Sequence, residues 1–211
     1  MLDPLTFLYF LIAILVALTV HEASHALIAY YLGDPTAKMR GRLSLNPIRH
    51  LDTVGSLVFL ITMRIGWGKP VPINPANFQH PVRDSALTSL AGPFSNFVLA
   101  FAVIMPIKYM GPYMPDPMMA ILWSIFDISV LLGVFNLLPF PPLDGSKILG
   151  ILVPPRFYPI YFRFLEDGMK YFVAIILVDV FIFPRLLGVS FFFSVISFLH
   201  EKVSLLLLLG T

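Results

Sequence analysis

From Leu5 to Leu32 the chain is apolar enough to cross a bilayer, and its ionisable interruption is His21-Glu22-Ala23-Ser24-His25. In hydrocarbon a run of about 20 apolar residues satisfies its own backbone N–H and C=O groups only as an α-helix. On that helix positions four apart share a face, so both imidazoles can reach one metal ion. Glu22, one residue on, can point at a water molecule beside that ion. Ionisable groups at this depth cost about 2.5–3.5 kcal/mol each on insertion scales, so they carry a function or pair with something.

The rest of the chain is of the same kind. Its 211 residues are 58% hydrophobic and 12% charged, against about 25% charged in soluble domains. The mean hydropathy is +0.86. Cysteine is absent, so disulfides and thiolate ligands are excluded and a metal must use His and carboxylate. A net charge of +2 gives no footprint for nucleic acid. The start, Met1-Leu2-Asp3-Pro4, lacks the basic n-region of a cleaved signal peptide, so the first helix is expected to be retained.

Four further segments approach spanning length: Ala86–Lys108, Pro117–Leu138, Lys170–Phe183 continuing to about Leu187, and Val189–Leu209. Thr53–Met63 is too short to cross. The expected fold class is a membrane all-α bundle of about five to six transmembrane helices, with a short β or re-entrant element between the first and second spans. Residues 1–211 are expected to form one domain, with a core over 5–153 and C-terminal helices over 168–209.

Charge sets an orientation. Lys38, Arg40, Arg42, Arg49, Arg64, Lys69 and Arg83 lie between the first two spans, and Lys147, Arg156, Arg163 and Lys170 between the third and fourth. The opposite loops hold only Lys108 and Arg185. The positive-inside rule then puts the N-terminus outside and both basic loops in the cytoplasm, with His21 and His25 in the inner half of the bilayer. Within the first basic loop, Lys38, Arg40 and Arg42 alternate with Met39, Gly41 and Leu43, which predicts a short interfacial strand. A second candidate runs through Met63-Arg64-Ile65-Gly66-Trp67 and ends at Pro70-Val71-Pro72. Such strands can lend an edge to an extended peptide. A basic surface loop anchored by Trp67 fits the same residues equally well.

Two His do not complete a catalytic zinc site; a third protein ligand is needed, with one position left open. His50 and His80 lie in the loop region and His200 near the end. A better candidate is Asp144, placed after the proline-broken stretch Asn136-Leu137-Leu138-Pro139-Phe140-Pro141-Pro142-Leu143 and before Gly145. Irregular backbone at such depth is tolerated where it lines a cavity. Asp is also a favoured N-cap, and a helix is expected over Ser146–Leu152, so ligand and cap stand side by side.

The pairing of H-E-x-x-H with the downstream N-x-x-P-x-P-x-x-D-G resembles the site-2 protease family of intramembrane metalloproteases. Gly41-Arg42-Leu43-Ser44-Leu45-Asn46-Pro47, Gly68-Lys69-Pro70-Val71-Pro72-Ile73-Asn74 and Ala91-Gly92-Pro93-Phe94-Ser95-Asn96 are similar to that family as well. The resemblance covers roughly residues 15–150. It implies one zinc ion per chain held by His21, His25 and Asp144, with Glu22 as the catalytic acid–base residue and Asn96 and Asn136 near the active site. It implies as substrate a single-spanning membrane protein within the lipid bilayer, and the small chain suits a prokaryotic cytoplasmic membrane. The PDZ or CBS modules often fused to the family have no room here.

The chemistry is coherent with that set. Glu22 would take a proton from water and pass it to the leaving amine. The side-chain amide of Asn136 or Asn96 is the expected donor to the developing oxyanion. A non-proteolytic zinc-binding membrane protein, such as a transporter, chaperone or scaffold, is the competing reading. A transporter should show internal repeats and several intramembrane ligands, and neither is visible. Asp127 and Asp179 sit in apolar helices with no motif around them, and His200-Glu201-Lys202 reads as a polar break in the last helix.

Overall fold

The first long helix begins where its sequence supplies a cap and ends where it supplies a left-handed glycine. In the computed structural model, which describes residues 3–62 and 66–208, α1 spans Pro4–Tyr31. Asp3 accepts from the N–H groups of Leu5 and Thr6, and Pro4 occupies the first turn, where its missing donor does no harm. Gly33, at φ +107°, then turns the chain away. The hydroxyls inside α1 bond back to their own helix, Thr19 to the Leu15 carbonyl and Ser24 to that of Val20, so neither meets lipid unpaired.

A short α2 (Thr36–Met39) and a ten-residue α3 (Thr53–Thr62) follow. The strand expected through residues 38–43 is instead α2 and a turn. Asp34 accepts from the Thr36 N–H at 3.1 Å and so starts a helical turn, and Gly41 at φ +67° breaks any extended run. Of the second strand candidate, Met63-Arg64-Ile65 lie outside the described residues, as do the ends of the apolar runs at Met63 and Leu209. Among the described residues there is no strand, only an isolated antiparallel bridge between Leu51 and Gly68. At about 15 Å, α3 is too short to cross some 30 Å of hydrocarbon. Its Phe59 stacks on Phe7 and Phe10 of α1 at 6.3 and 6.1 Å, while the segment's two flanks meet at the Leu51–Gly68 bridge.

The central pair is α4 (Pro81–Met110) and α5 (Asp116–Leu137). At the start of α4, Asp84 reaches back to the N–H of His80 at 3.0 Å, so the exposed His80 is the N-cap residue. α5 stops at Leu137 because Pro139 follows closely. Ala100, Ile104 and Ile107 of α4 pack with Phe126, Val130 and Val134 of α5 into the main apolar core. Beyond the proline loop come α6 (Asp144–Ile148), α7 (Tyr158–Phe181), α8 (Phe183–Leu187) and α9 (Phe191–Leu207). Leu199, Val203 and Leu207 of α9 close the core cluster from the other side. Asp179 is buried at the α7–α9 corner, where it accepts from the Phe192 N–H at 3.0 Å and from the Ser190 hydroxyl. That is a structural cap.

The chain is a membrane all-α bundle, but with fewer unambiguous spans than its apolar runs suggest. Among the described residues three helices are long and apolar enough to cross: α1, α4 and α5. Only 28–39% of their apolar windows is buried inside the fold, so the remaining apolar surface faces lipid. A fourth span arises only if the bent pair, residues 155–187 with Phe191–Leu207 at 98°, counts as one. The shortfall against five or six has a physical cause. Arg163, Glu166, Asp167 and Lys170 load the first half of α7 with charge, and α9 has only 17 residues.

The basic loop is fastened to α1 through Asp34. This buried carboxylate accepts from the Asn74 N–H at 2.7 Å and the Asn77 side chain at 2.6 Å, besides Thr36. Burial raises its pKa, but these hydrogen bonds outweigh that and hold it below the ordinary value. Its stabilisation is therefore complete above the unfolded pKa of about 3.9 and lost as pH falls through the lower folded value. Asp34→Asn should lower stability by about 2–3 kcal/mol at neutral pH. It should also remove this part of the acid sensitivity of residues 35–78, measured as resistance to proteolysis between about pH 2 and 7.

Candidate metal centre

Two helices meet along matching stripes of every fourth residue. On α1 these are Ala13, Ala17, His21, His25 and Ala29, all buried; on α4 they are Thr88, Gly92, Asn96, Ala100 and Ile104, also buried. The two helices run antiparallel, so Ala17 and His21 meet Asn96 while His25 meets Thr88. The Nδ1 of His21 lies 2.6 Å from Asn96 Oδ1, and the Nδ2 of Asn96 donates to the Ala17 carbonyl at 3.2 Å. Because that carbonyl can only accept, the amide orientation is decided and Oδ1 must face the imidazole. His21 therefore carries its proton on Nδ1.

His25 is held by the same logic. Its Nδ1 sits 2.7 Å from the Thr88 carbonyl oxygen, which again only accepts. Both imidazoles thus direct Nε2 into one space, their rings edge-on at a centroid distance of 4.6 Å. Asp144 closes that space, its Oδ2 lying 3.1 Å from each Nε2. Three electron-pair donors all lie within 4.8 Å of one another, an arrangement that calls for a cation between them. A tetrahedral zinc with bonds near 2.0–2.1 Å separates its ligand atoms by about 3.3 Å, so the donor set and spacing fit that ion.

Asp144 gets there through the broken segment after α5. Gly145 packs so tightly against the carbonyls of Leu137 and Leu138 that a Cβ would meet them at 2.2 and 2.4 Å, so the loop folds back on the end of α5. Tyr161 of α7 donates to the Ser146 and Lys147 carbonyls, and Pro141 seats against Gly168, where a Cβ would meet its Cγ at 2.4 Å. Asp144 is the first residue of α6, but its carboxylate makes no capping bond; the N-cap position belongs to Leu143. Of the two roles its sequence position offered, the geometry uses the one facing the histidines.

Glu22 is half-buried on α1, next to His21 in sequence and within electrostatic range of His25. Its Oε2 accepts from the Val71 N–H at 2.9 Å. Flanked by Pro70 and Pro72, Val71 carries the single backbone donor of that tripeptide, and it is spent on Glu22. Arg42, buried in the same loop, reaches the Lys69 carbonyl next door and lies within electrostatic range of Glu22.

The two asparagines part company. Asn96 is fully buried against His21, its Oδ1 facing the imidazole and one of its two amide N–H donors given to the Ala17 carbonyl, a geometry that suits positioning of the ring. Asn136 is half-buried and donates to the Leu132 carbonyl of its own helix at 3.0 Å; among the described residues it bonds neither imidazole. His50 is fully buried in the basic loop on the Ser44 carbonyl and is not part of the His21–His25–Asp144 cluster. Asp127 pairs with His200 at 3.4 Å on the outer surface.

Three contributors escape a reading by side-chain type. Ala17 and Thr88 act through backbone carbonyls, which leave no signal in residue identity. Gly92 acts through what it lacks: a Cβ there would lie 2.5 Å from His25 Nε2 and 2.6 Å from His21 Cε1. The available signal was spacing, since Thr88, Gly92 and Asn96 are four residues apart and share one face.

Comparison with known proteins supplies a family context. The model of peptidase family M50 matches residues 111–178. YwhC of Bacillus subtilis (strain 168), whose name describes a candidate zinc metalloprotease, is 42% identical over 154 residues, 70% of each chain. Rip2 of Mycobacterium tuberculosis (strain ATCC 25618 / H37Rv), named in the same terms, is 32% identical over 195 residues, covering 89% of this chain and 71% of its own. No solved structure matches.

Gly92→Ala should displace the imidazoles and abolish high-affinity metal binding. Asn96→Ala should weaken it by about 10–100-fold, as loss of a residue that orients a ligating His does. Chelator competition on the purified protein measures both.

Proposed function

This chain belongs to peptidase family M50, the site-2 proteases, and from that premise we propose that it cleaves single-spanning membrane proteins in or beside their transmembrane segment, with zinc held by His21, His25 and Asp144. It is an intramembrane zinc metalloprotease. The observation that carries the ligand assignment is the convergence of two Nε2 atoms and one carboxylate oxygen, with both Nδ1 atoms already committed elsewhere.

Zinc at this position supplies a Lewis acid that acidifies water and polarises a carbonyl. The chain's own residues supply the proton path and the positioning. Glu22, adjacent to His21 in sequence, takes a proton from the attacking water as its oxygen adds to the peptide carbonyl carbon. It then delivers that proton to the amide nitrogen as the C–N bond breaks, leaving a carboxylate and an amine. Asn96 acts as a positioning residue, keeping His21 in the tautomer that presents Nε2. Asn136 is the remaining side chain proposed near the substrate; a modest turn about its side-chain torsions would free its amide from Leu132. The peptide must unwind locally before attack, because a helical carbonyl is hydrogen-bonded and shielded.

The eleven basic residues in and beside the two loops, against two on the other side, support an N-terminus outside a prokaryotic cytoplasmic membrane. In that orientation His21 lies about 15 Å from the cytoplasmic end of α1, and cleavage would free a cytoplasmic domain. One domain over the whole chain, with α7–α9 appended to the catalytic core, fits the packing of α9 on α4 and α5. The non-proteolytic zinc-binding reading is not favoured, since a binding protein has no use for Glu22 beside the ligands.

With a single-spanning reporter in reconstituted vesicles, Glu22→Gln should lower cleavage by about 10²–10⁴-fold while zinc content stays near one per chain. Asp144→Ala should lose both zinc and cleavage. Full zinc retention without Asp144 would overturn the ligand set.

A further inference from the structure

The helix α9, which packs along α4 and α5, carries charge at a depth where the bilayer favours none. Asp127 is the twelfth of the 22 residues of α5, about 15–16 Å from either end, and His200 of α9 pairs with it at 3.4 Å. That pair places the middle of α9 at mid-bilayer height. Yet the Asp127 side chain is 67% exposed, and the next two residues of α9, Glu201 and Lys202, are exposed as well. From that depth neither a carboxylate nor the Lys202 side chain can reach the headgroups, so water does not solvate them.

The rest of the exposed arc is built for close approach. Leu199, Val203 and Leu207 point into the core, while Ser194, Ser197, Phe198, Glu201 and Leu205 fall on the opposite side and are exposed. Small residues on such a face let a second helix come near, and polar ones bond across it. Lys202 leans over the Phe198 ring at 5.4 Å on the flank of this arc.

We propose that this face of α9, with Asp127 beside it, is the interface with a second copy of the same chain. Two copies inserted in one membrane share an orientation, so their two-fold axis lies along the membrane normal and each residue meets its counterpart's height. Glu201 and Lys202 differ in height by only about 1.5 Å. Around such an axis Glu201 of each copy faces Lys202 of the other, giving two reciprocal ion pairs that withdraw all four charges from lipid. A different partner would need matching charges at the same depth; a second copy has them by construction.

The chain has no cysteine, so single substitutions report directly. In native membranes under mild oxidation, Ser197→Cys should give a covalent species of twice the chain mass, while Val98→Cys, exposed on α4, gives none. Either Glu201→Lys or Lys202→Glu in the Ser197→Cys background should lower the cross-linked fraction at least about tenfold. The double exchange should restore it to within about twofold, because the reciprocal pairs are rebuilt. Zinc content of each variant confirms that it is folded. A second measurement needs no α9 variant: two differently tagged wild-type copies co-expressed in one membrane should co-purify. A cross-link indifferent to charge reversal, an adduct with another polypeptide, or failure of the tagged copies to co-purify would each overturn the proposal.

Discussion

The antiparallel contact between α1 and α4 is what the rest of the structure depends on. Its two stripes are small: Ala13, Ala17 and Ala29 on one helix, Gly92 and Ala100 on the other, all buried. In lipid, where no hydrophobic force draws helices together, packing of such residues lets backbones approach and gains dispersion. The close approach also brings backbone oxygens of one helix within reach of side chains on the other. Asn96 thereby finds the Ala17 carbonyl, and His25 finds that of Thr88. The same contact that holds the bundle together therefore orients both imidazoles.

Around that contact the chain arranges its deep carboxylates by one rule: each is given a partner. Asp144 is brought to the histidines by a loop whose folding needs glycine at 145 and which α7 braces through Tyr161 and through Gly168 against Pro141. Glu22 is met by the one free N–H between two prolines, and Asp34 ties the base of that loop to the end of α1. These loop contacts bring the Lys69–Ile73 stretch past Glu22.

Two acidic residues that look alike in the sequence illustrate the rule. Asp179 is buried and caps the start of α9, so its charge is answered within the chain. Asp127 is answered only in part, by one histidine on an open surface. An ionisable group at mid-bilayer costs about 2.5–3.5 kcal/mol on insertion scales, which makes a half-answered charge there a feature rather than noise.

The sequence by itself determined the class of molecule and most of the candidate metal centre. Apolar run lengths required membrane helices, and the four-residue spacing of His21 and His25 required a shared face, because hydrocarbon allows a single regular backbone and that backbone has a fixed period. Asp144 was legible as an acid placed after a proline break, though not as ligand rather than cap. The strand expected over residues 38–43 was misread: alternating Lys38, Arg40 and Arg42 resemble a strand, but the Asp34 bond to the Thr36 N–H and a left-handed Gly41 make a helical turn. Only tertiary structure decided which oxygen each imidazole Nδ1 meets, that Gly92 has no room for a side chain, and that Asp127 and Asp179 have opposite fates. Those outcomes depend on which backbone atoms of distant segments are brought to within a few ångströms, and residue identity carries no record of that.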